Sequence, residues 1–255
     1  MPNIPKQTNT ADQRVFPIEG VLNARHFNGL CQQTPNLKNS HPSLIRAATL
    51  AKITRNGLEA MQEKNITTIV DLRSIGEYKH SPTPDFIHQN FKVIEAPVFD
   101  FTGPPDKNMT DQSYPGHISL YRSILTKGSF AFRILFETIN DNIGGVLFHC
   151  TVGKDRTGLA AALLLDLGGA SDTAIIEDYM ASEEQLSPIM TTQILKLIEY
   201  GIRKEDAVIM MQSPPEVMKV TLTWIREQWG SAEGYLQSIG VSSEAITNIQ
   251  NRLQS

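Results

Sequence analysis

The stretch that decides the fold is His149-Cys150-Thr151-Val152-Gly153-Lys154-Asp155-Arg156-Thr157-Gly158. Ahead of it, after a Gly144-Gly145 turn, runs Val146-Leu147-Phe148, a short apolar segment of strand type. Behind it comes Leu159 to Leu167, strongly apolar at helical spacing. Strand, tight loop and helix in that order belong to a parallel sheet, in which ligands gather at the carboxyl ends of the strands. Cys150 stands at such an end.

The residue types in this loop suit an anion. A seven-residue loop can curl until consecutive backbone N–H groups point inward and form a nest. A helix starting near Arg156 adds its unpaired N–H groups and roughly half a positive charge. Arg156 itself can grip two phosphate oxygens at once. Gly153 permits the tight curvature, and Gly158 permits close approach of the first helical turn. The expected phosphate ligands are therefore Thr151, Val152, Gly153, Lys154, Asp155 and Arg156. The same field favours the thiolate of Cys150, which is the attacking form. Attack on phosphorus gives a cysteinyl phosphate that water hydrolyses, with Thr157 placed to offer its hydroxyl to the departing thiolate. Asp155 is the first candidate for the acid that protonates the leaving group. Asp100, Asp106 and Asp111, on a loop after a strand, are rivals, as is Asp71, although a hydrogen-bonding role suits Asp71 better. His149 is expected to brace the loop, because a thiolate needs no base.

Outward from the loop, strand and helix signals alternate. Thr54 to Lys64 has helical spacing with Asn65 as its stop, and Ile66 to Val70 is a β-branched run that ends at Asp71. Ser74-x-x-Glu77 has capping-box spacing, and Lys92 to Val98 supplies a further strand. Two helices follow, one through Ile118, Tyr121 and Leu125 and one capped by Ser129. The expectation is an α/β fold, a mostly parallel central sheet flanked by helices, with an all-helical part beyond Ala170. Ser171, Pro215, Ser231 and Ser242 mark the starts of helices there.

Composition narrows the setting. With 255 residues, 40% of them hydrophobic, the chain suits one domain over 16–255, preceded by a flexible arm over 1–15. A net charge of −4 offers no excess of cations for nucleic acid or an anionic membrane. Two cysteines, Cys31 and Cys150, make neither a disulfide framework nor a zinc spacing, and His26, His41, His80, His88 and His117 show no ligand spacing. No apolar leader and no membrane span stand out, so a reduced, cytoplasmic protein without membrane insertion is expected.

The decapeptide closely resembles the signature of the cysteine-dependent protein phosphatases. Its Gly-Lys-Asp-Arg-Thr-Gly version is similar to the tyrosine-specific phosphatases of bacterial and fungal type. Asn23, Arg25 and Gly29, Arg46 to Leu50, Asp71-Leu72-Arg73-Ser74 with Glu77, and Tyr235-Leu236 before Gly240 also fall in family-like positions. His26 and Asn28 depart from the acid and glycine of that pattern. The resemblance implies the cysteine-phosphatase fold, hydrolysis of phosphotyrosine proteins or other phosphomonoesters, and no cofactor or metal. It makes Cys150 the nucleophile and Arg156 the clamp. Lys154 and Asp155 leave dual-specificity or phosphoinositide substrates open. In a mycobacterial member a helical pair covers the site, and residues 171–213, with Met180, Met190, Met210 and Met211, are the place for an equivalent lid. Three alternatives stay open: an inactive phosphate-binding module, a rhodanese-like sulfur transferase, and a disulfide between Cys31 and Cys150.

Overall fold

The computed structural model describes residues 14–27, 29–31, 43–98 and 114–254. Five strands form one sheet: β1 (Arg25–His26), β2 (Leu44–Ala47), β3 (Ile66–Asp71), β4 (Lys92–Glu95) and β5 (Gly145–His149). Their order is β1-β2-β5-β3-β4, parallel throughout except for the edge strand β1. The strand that carries the cysteine is therefore central. His149 pairs in register with Ala47 on one side and Asp71 on the other, so Cys150 emerges between the ends of two neighbouring strands.

Alternation along β5 splits the core across the two faces of the sheet. Val146 and Phe148 join the larger cluster, with Val70 and Leu72, while Leu147 joins Ile45, Ile69, Leu58 and Met61 on the opposite face. Helices α1 (Arg55–Glu63), α2 (Ile75–His80) and α3 (Asp85–Asn90) lie between the early strands. The larger cluster belongs to α4 (His117–Lys127), α5 (Ser129–Asp141) and α6 (Arg156–Leu167). In α6 every residue but Asp166 is buried. A helix that is apolar all round belongs in the middle of a core.

The all-helical part comprises α7 (Asp172–Gln185), a 3-10 turn (Ser187–Ile189), α8 (Met190–Glu199), α9 (Lys204–Met211), α10 (Pro215–Trp229), α11 (Ala232–Ser238) and α12 (Ser243–Leu253). Side-chain hydroxyls cap five helix starts among the described residues. Thr54, Ser74, Ser171, Ser231 and Ser242 each accept a first-turn N–H, and Ser74 with Glu77 completes a capping box. Asn65 follows α1 in the left-handed region at φ 53°.

Three expectations change. Ser129 is the first residue of α5 and caps nothing, because Gly128 ends α4 and starts α5 at once and no extended cap residue fits between them. The segment after Pro84, not foreseen as regular, forms α3. The arm was drawn too long at its inner end: Arg14 is buried against Asp178, and Val15 bridges Arg25. The remainder of the arm lies outside the described residues.

Candidate active site

Successive carbonyls of the 150–156 loop are drawn outward. Thr151 O accepts from Thr49 N at 3.1 Å, and Val152 O from Asn23 Nδ2 at 2.9 Å. Gly153 O takes both Asn23 Nδ2 at 3.0 Å and Arg46 Nη2 at 2.7 Å. Among the described residues no peptide bond is cis, so each carbonyl of the loop opposes the N–H of the next residue. Pulling these three carbonyls out turns the N–H groups of Val152, Gly153 and Lys154 the other way, toward the inside of the loop. Gly153 makes the bend possible: its φ is +69°, and a Cβ there would lie 2.4 Å from Ala47 O. Gly158 is under looser demand, since a Cβ there would meet Arg46 Nη2 at 3.4 Å.

The groups that pull are themselves fixed by a buried ionic hub. Asp178 of α7 receives Arg14 Nη1 at 2.6 Å, Arg25 Nε at 2.9 Å and Arg46 Nη1. Burial works to raise the Asp178 pKa, and Arg25, Arg46 and Arg14 overcome it, holding the carboxyl well below the usual range. Arg25 also donates to Asn23 Oδ1, which fixes the amide so that its nitrogen faces the loop. Three guanidinium groups on one carboxylate leave positive charge beneath the cradle.

Cys150 is buried, with 1% of its surface exposed. Arg156 is held by Glu77 through paired contacts, Nη1 to Oε2 at 2.6 Å and Nη2 to Oε1 at 2.7 Å. Glu77 also accepts from Thr151 Oγ1 and, as the capping box requires, from Ser74 N at 2.8 Å. The Thr157 hydroxyl is buried with no hydrogen-bond partner among the described residues. His149 is fully buried, its Nδ1 3.3 Å from Cys150 O and its Nε2 3.8 Å from Asp71 Oδ2. Burial lowers its pKa, Arg73 and Arg156 add to that, and Asp71 opposes it. Asp71 holds Arg73 at 2.6 to 3.0 Å, and Arg73 ties Thr49, the Ser81 carbonyl and Thr83 around it. Both are committed to building the strand end.

Lys154 differs most from expectation. Its side chain is fully buried, and its ammonium donates to the carbonyls of Met210 and, at 2.8 Å, Gln212, with His117 Nε2 at 3.2 Å. It therefore caps the carboxyl end of α9, and only its backbone N–H belongs to the cradle. Burial lowers the Lys154 pKa against the pull of Asp155. His117 falls to about 4, first by burial and then by Lys154, so it is neutral and accepts. Asp155 stays partly exposed and takes the Tyr121 hydroxyl on Oδ1 at 2.7 Å. Asp100, Asp106 and Asp111 lie outside the described residues. Among the described residues, no three His, Cys, Asp or Glu side chains gather as a metal site.

Cys31 is far from this chemistry. A Cβ on Gly168, just past the end of α6, would lie 2.5 Å from Cys31 Sγ, whereas Cys150 precedes the start of the same helix. A 12-residue helix spans about 18 Å, so the two free thiols cannot pair. Burial pushes the Cys31 thiol up to about 11.

Sequence reading assigned no role at the loop to Asp178, Tyr121 or Arg14. Asn23, Arg25, Arg46 and Glu77 were visible only as family-like positions, and Glu77 also as half of a capping box.

The model of the tyrosine phosphatase family matches residues 16–255, and the chain belongs to that family. A tyrosine-protein phosphatase of Nostoc commune is 30% identical over 241 residues, covering 88% of this chain and 80% of that protein. A triple specificity protein phosphatase of Mycobacterium tuberculosis is 23% identical over 252 residues, covering 82% and 90% respectively. The activity is hydrolysis of phosphotyrosine, a phosphomonoester. Among the described residues, no helix is long and apolar enough to cross a membrane.

Proposed function

We propose that the 150–156 loop binds the phosphate of a phosphotyrosine protein and that Cys150 carries the chemistry. The observation that carries this reading is the outward pull on three successive loop carbonyls, with a cysteine at the base of the loop and Arg156 at its close. In the first step the Cys150 thiolate forms an S–P bond, and the P–O bond to tyrosine breaks. Asp155 gives its proton to the departing oxygen. In the second step water attacks phosphorus and loses a proton to Asp155, the S–P bond breaks, and the thiolate returns with the Thr157 hydroxyl available to it. Arg156 holds two phosphate oxygens, with its guanidinium braced by Glu77. His149 and Asp71 keep the strand end in place. The steps use no cofactor.

The burial of Lys154 favours phosphotyrosine over phosphoinositides, since its ammonium is taken up by α9. The relative named for triple specificity keeps the wider reading in play. We place α8 and α9 as a cover for the site, tied to the loop by Lys154, and the enzyme in the cytoplasm, where the thiols of Cys31 and Cys150 stay reduced. The decisive test is turnover of an aryl phosphate by wild type and Cys150→Ser. The variant should lose at least about a thousandfold in kcat, and retained turnover would refute the mechanism. Rates on phosphotyrosine peptide, phosphoserine peptide and phosphoinositide then rank the substrate classes.

A further inference from the structure

Asp155 occupies the N-cap position of α6, and aspartate is among the strongest caps. Yet no side chain caps α6, and Asp155 stands there with helical angles, φ −84° and ψ −75°, where the capping residues of the chain are extended. Among the described residues, five other helices have their first turn closed by a serine or threonine hydroxyl, and α3, α4, α5, α8, α9 and α10 have no side-chain cap. The Asp155 carboxylate is engaged by Tyr121 of α4, at 2.7 Å from its Oδ1, with Lys154 Nζ 3.5 Å from the same oxygen. Tyr121 is fully buried and stands edge-on between His117 and Tyr179, with ring centroids 5.9 and 6.1 Å away. Its hydroxyl lies 2.9 Å from that of Tyr179. Burial, then the charge of Asp155, holds its pKa well above the ordinary value, so it remains a donor.

A carboxyl group that capped α6 in the usual way would cover the first-turn N–H groups that an incoming phosphate dianion needs. We propose that Tyr121 is a positioning residue that holds the Asp155 carboxylate off the start of its own helix, keeping those N–H groups for the substrate phosphate. The inference rests on reading the loop as the phosphate cradle. The same hydrogen bond has a second consequence. With Oδ1 engaged, Oδ2 is the oxygen that exchanges a proton with the leaving group.

Inhibition by inorganic phosphate reads the cradle directly. A wild-type enzyme insensitive to phosphate would remove the cradle reading itself, before any variant is made. Given inhibition, Tyr121→Phe keeps the ring, loses the hydroxyl, and should raise the phosphate inhibition constant about tenfold. Alanine cannot cap, so Tyr121→Phe added to Asp155→Ala should leave the constant of the single Asp155→Ala variant unchanged. Tyr179→Phe, one hydroxyl further from Asp155, should have the smaller effect, with melting curves for every variant to report folding. An unchanged constant in Tyr121→Phe overturns the proposal. So does a rise that persists without Asp155, or an equal rise in Tyr179→Phe.

Discussion

Two neighbouring strands of the sheet, β3 and β5, each run into a helix, and the two turns are built in opposite ways. The turn into α2 is closed: Ser74 and Glu77 cap each other reciprocally, and the helix they start buries no residue. The turn into α6 is open: its helix start carries no side-chain cap, although the helix is buried almost throughout. A helix start without a side-chain cap leaves its first-turn N–H groups for another acceptor, and an anion suits them. The contrast agrees with the phosphate site proposed above. It also shows how one turn supports the other, since Glu77 closes α2 and at the same time holds Arg156 and Thr151.

The largest effect should come from forcing the open turn out of shape. Gly153→Ala places a Cβ 2.4 Å from Ala47 O at positive φ. It should lower kcat/KM at least about a hundredfold, and a variant with wild-type kinetics would show that the curled loop is not what binds phosphate. The next effect is on stability, through pH. His117, beside Lys154, takes its proton near pH 6.5 when unfolded and only near about 4 when folded. Between those values the unfolded chain binds more protons, so stability is complete above pH 6.5 and lost as pH falls from there to about 4. The loss is up to about 3 kcal/mol. Melting temperature followed over pH 4 to 7 in wild type and His117→Gln checks it, with a flatter profile expected in the variant. The smallest effect separates the two duties of the closed turn. Ser74→Ala should cost about 1 kcal/mol of stability with kcat nearly unchanged. Glu77→Gln should lower kcat/KM about tenfold by loosening Arg156. Equal losses of activity in the two variants would mean that Glu77 acts only as a cap.

What the sequence made legible follows from range. The 149–158 loop, the apolar α6 and the serine caps are written in neighbouring residues, and their spacing alone carries them. The place of Cys150 at the carboxyl end of a parallel strand followed from the alternation of strands and helices, whereas its position between β2 and β3 depends on the strand order of the fold. Asp178 was hidden in a helix whose apolar stripe said nothing of it, because its partners Arg14, Arg25 and Arg46 are brought to it only by the tertiary fold. Lys154 differs for the same reason: a cation in a phosphate loop invites a ligand, and only the approach of α9 gives it carbonyls as well as its neighbour Asp155. Tyr121 was read as one residue of an apolar stripe, and its hydroxyl acquires meaning only opposite Asp155.

The hub at Asp178 also sets an order of events during synthesis. Arg14 and Asp178 are 164 residues apart, and Arg46 is 132 from the same carboxylate. Until α7 has been made, Arg25 and Arg46 have no counter-charge to be buried against, and nothing holds Arg46 and Asn23 behind the loop. A nascent chain that already carries Cys150 and Arg156 therefore stays without a formed cradle until residues beyond Asp178 have emerged.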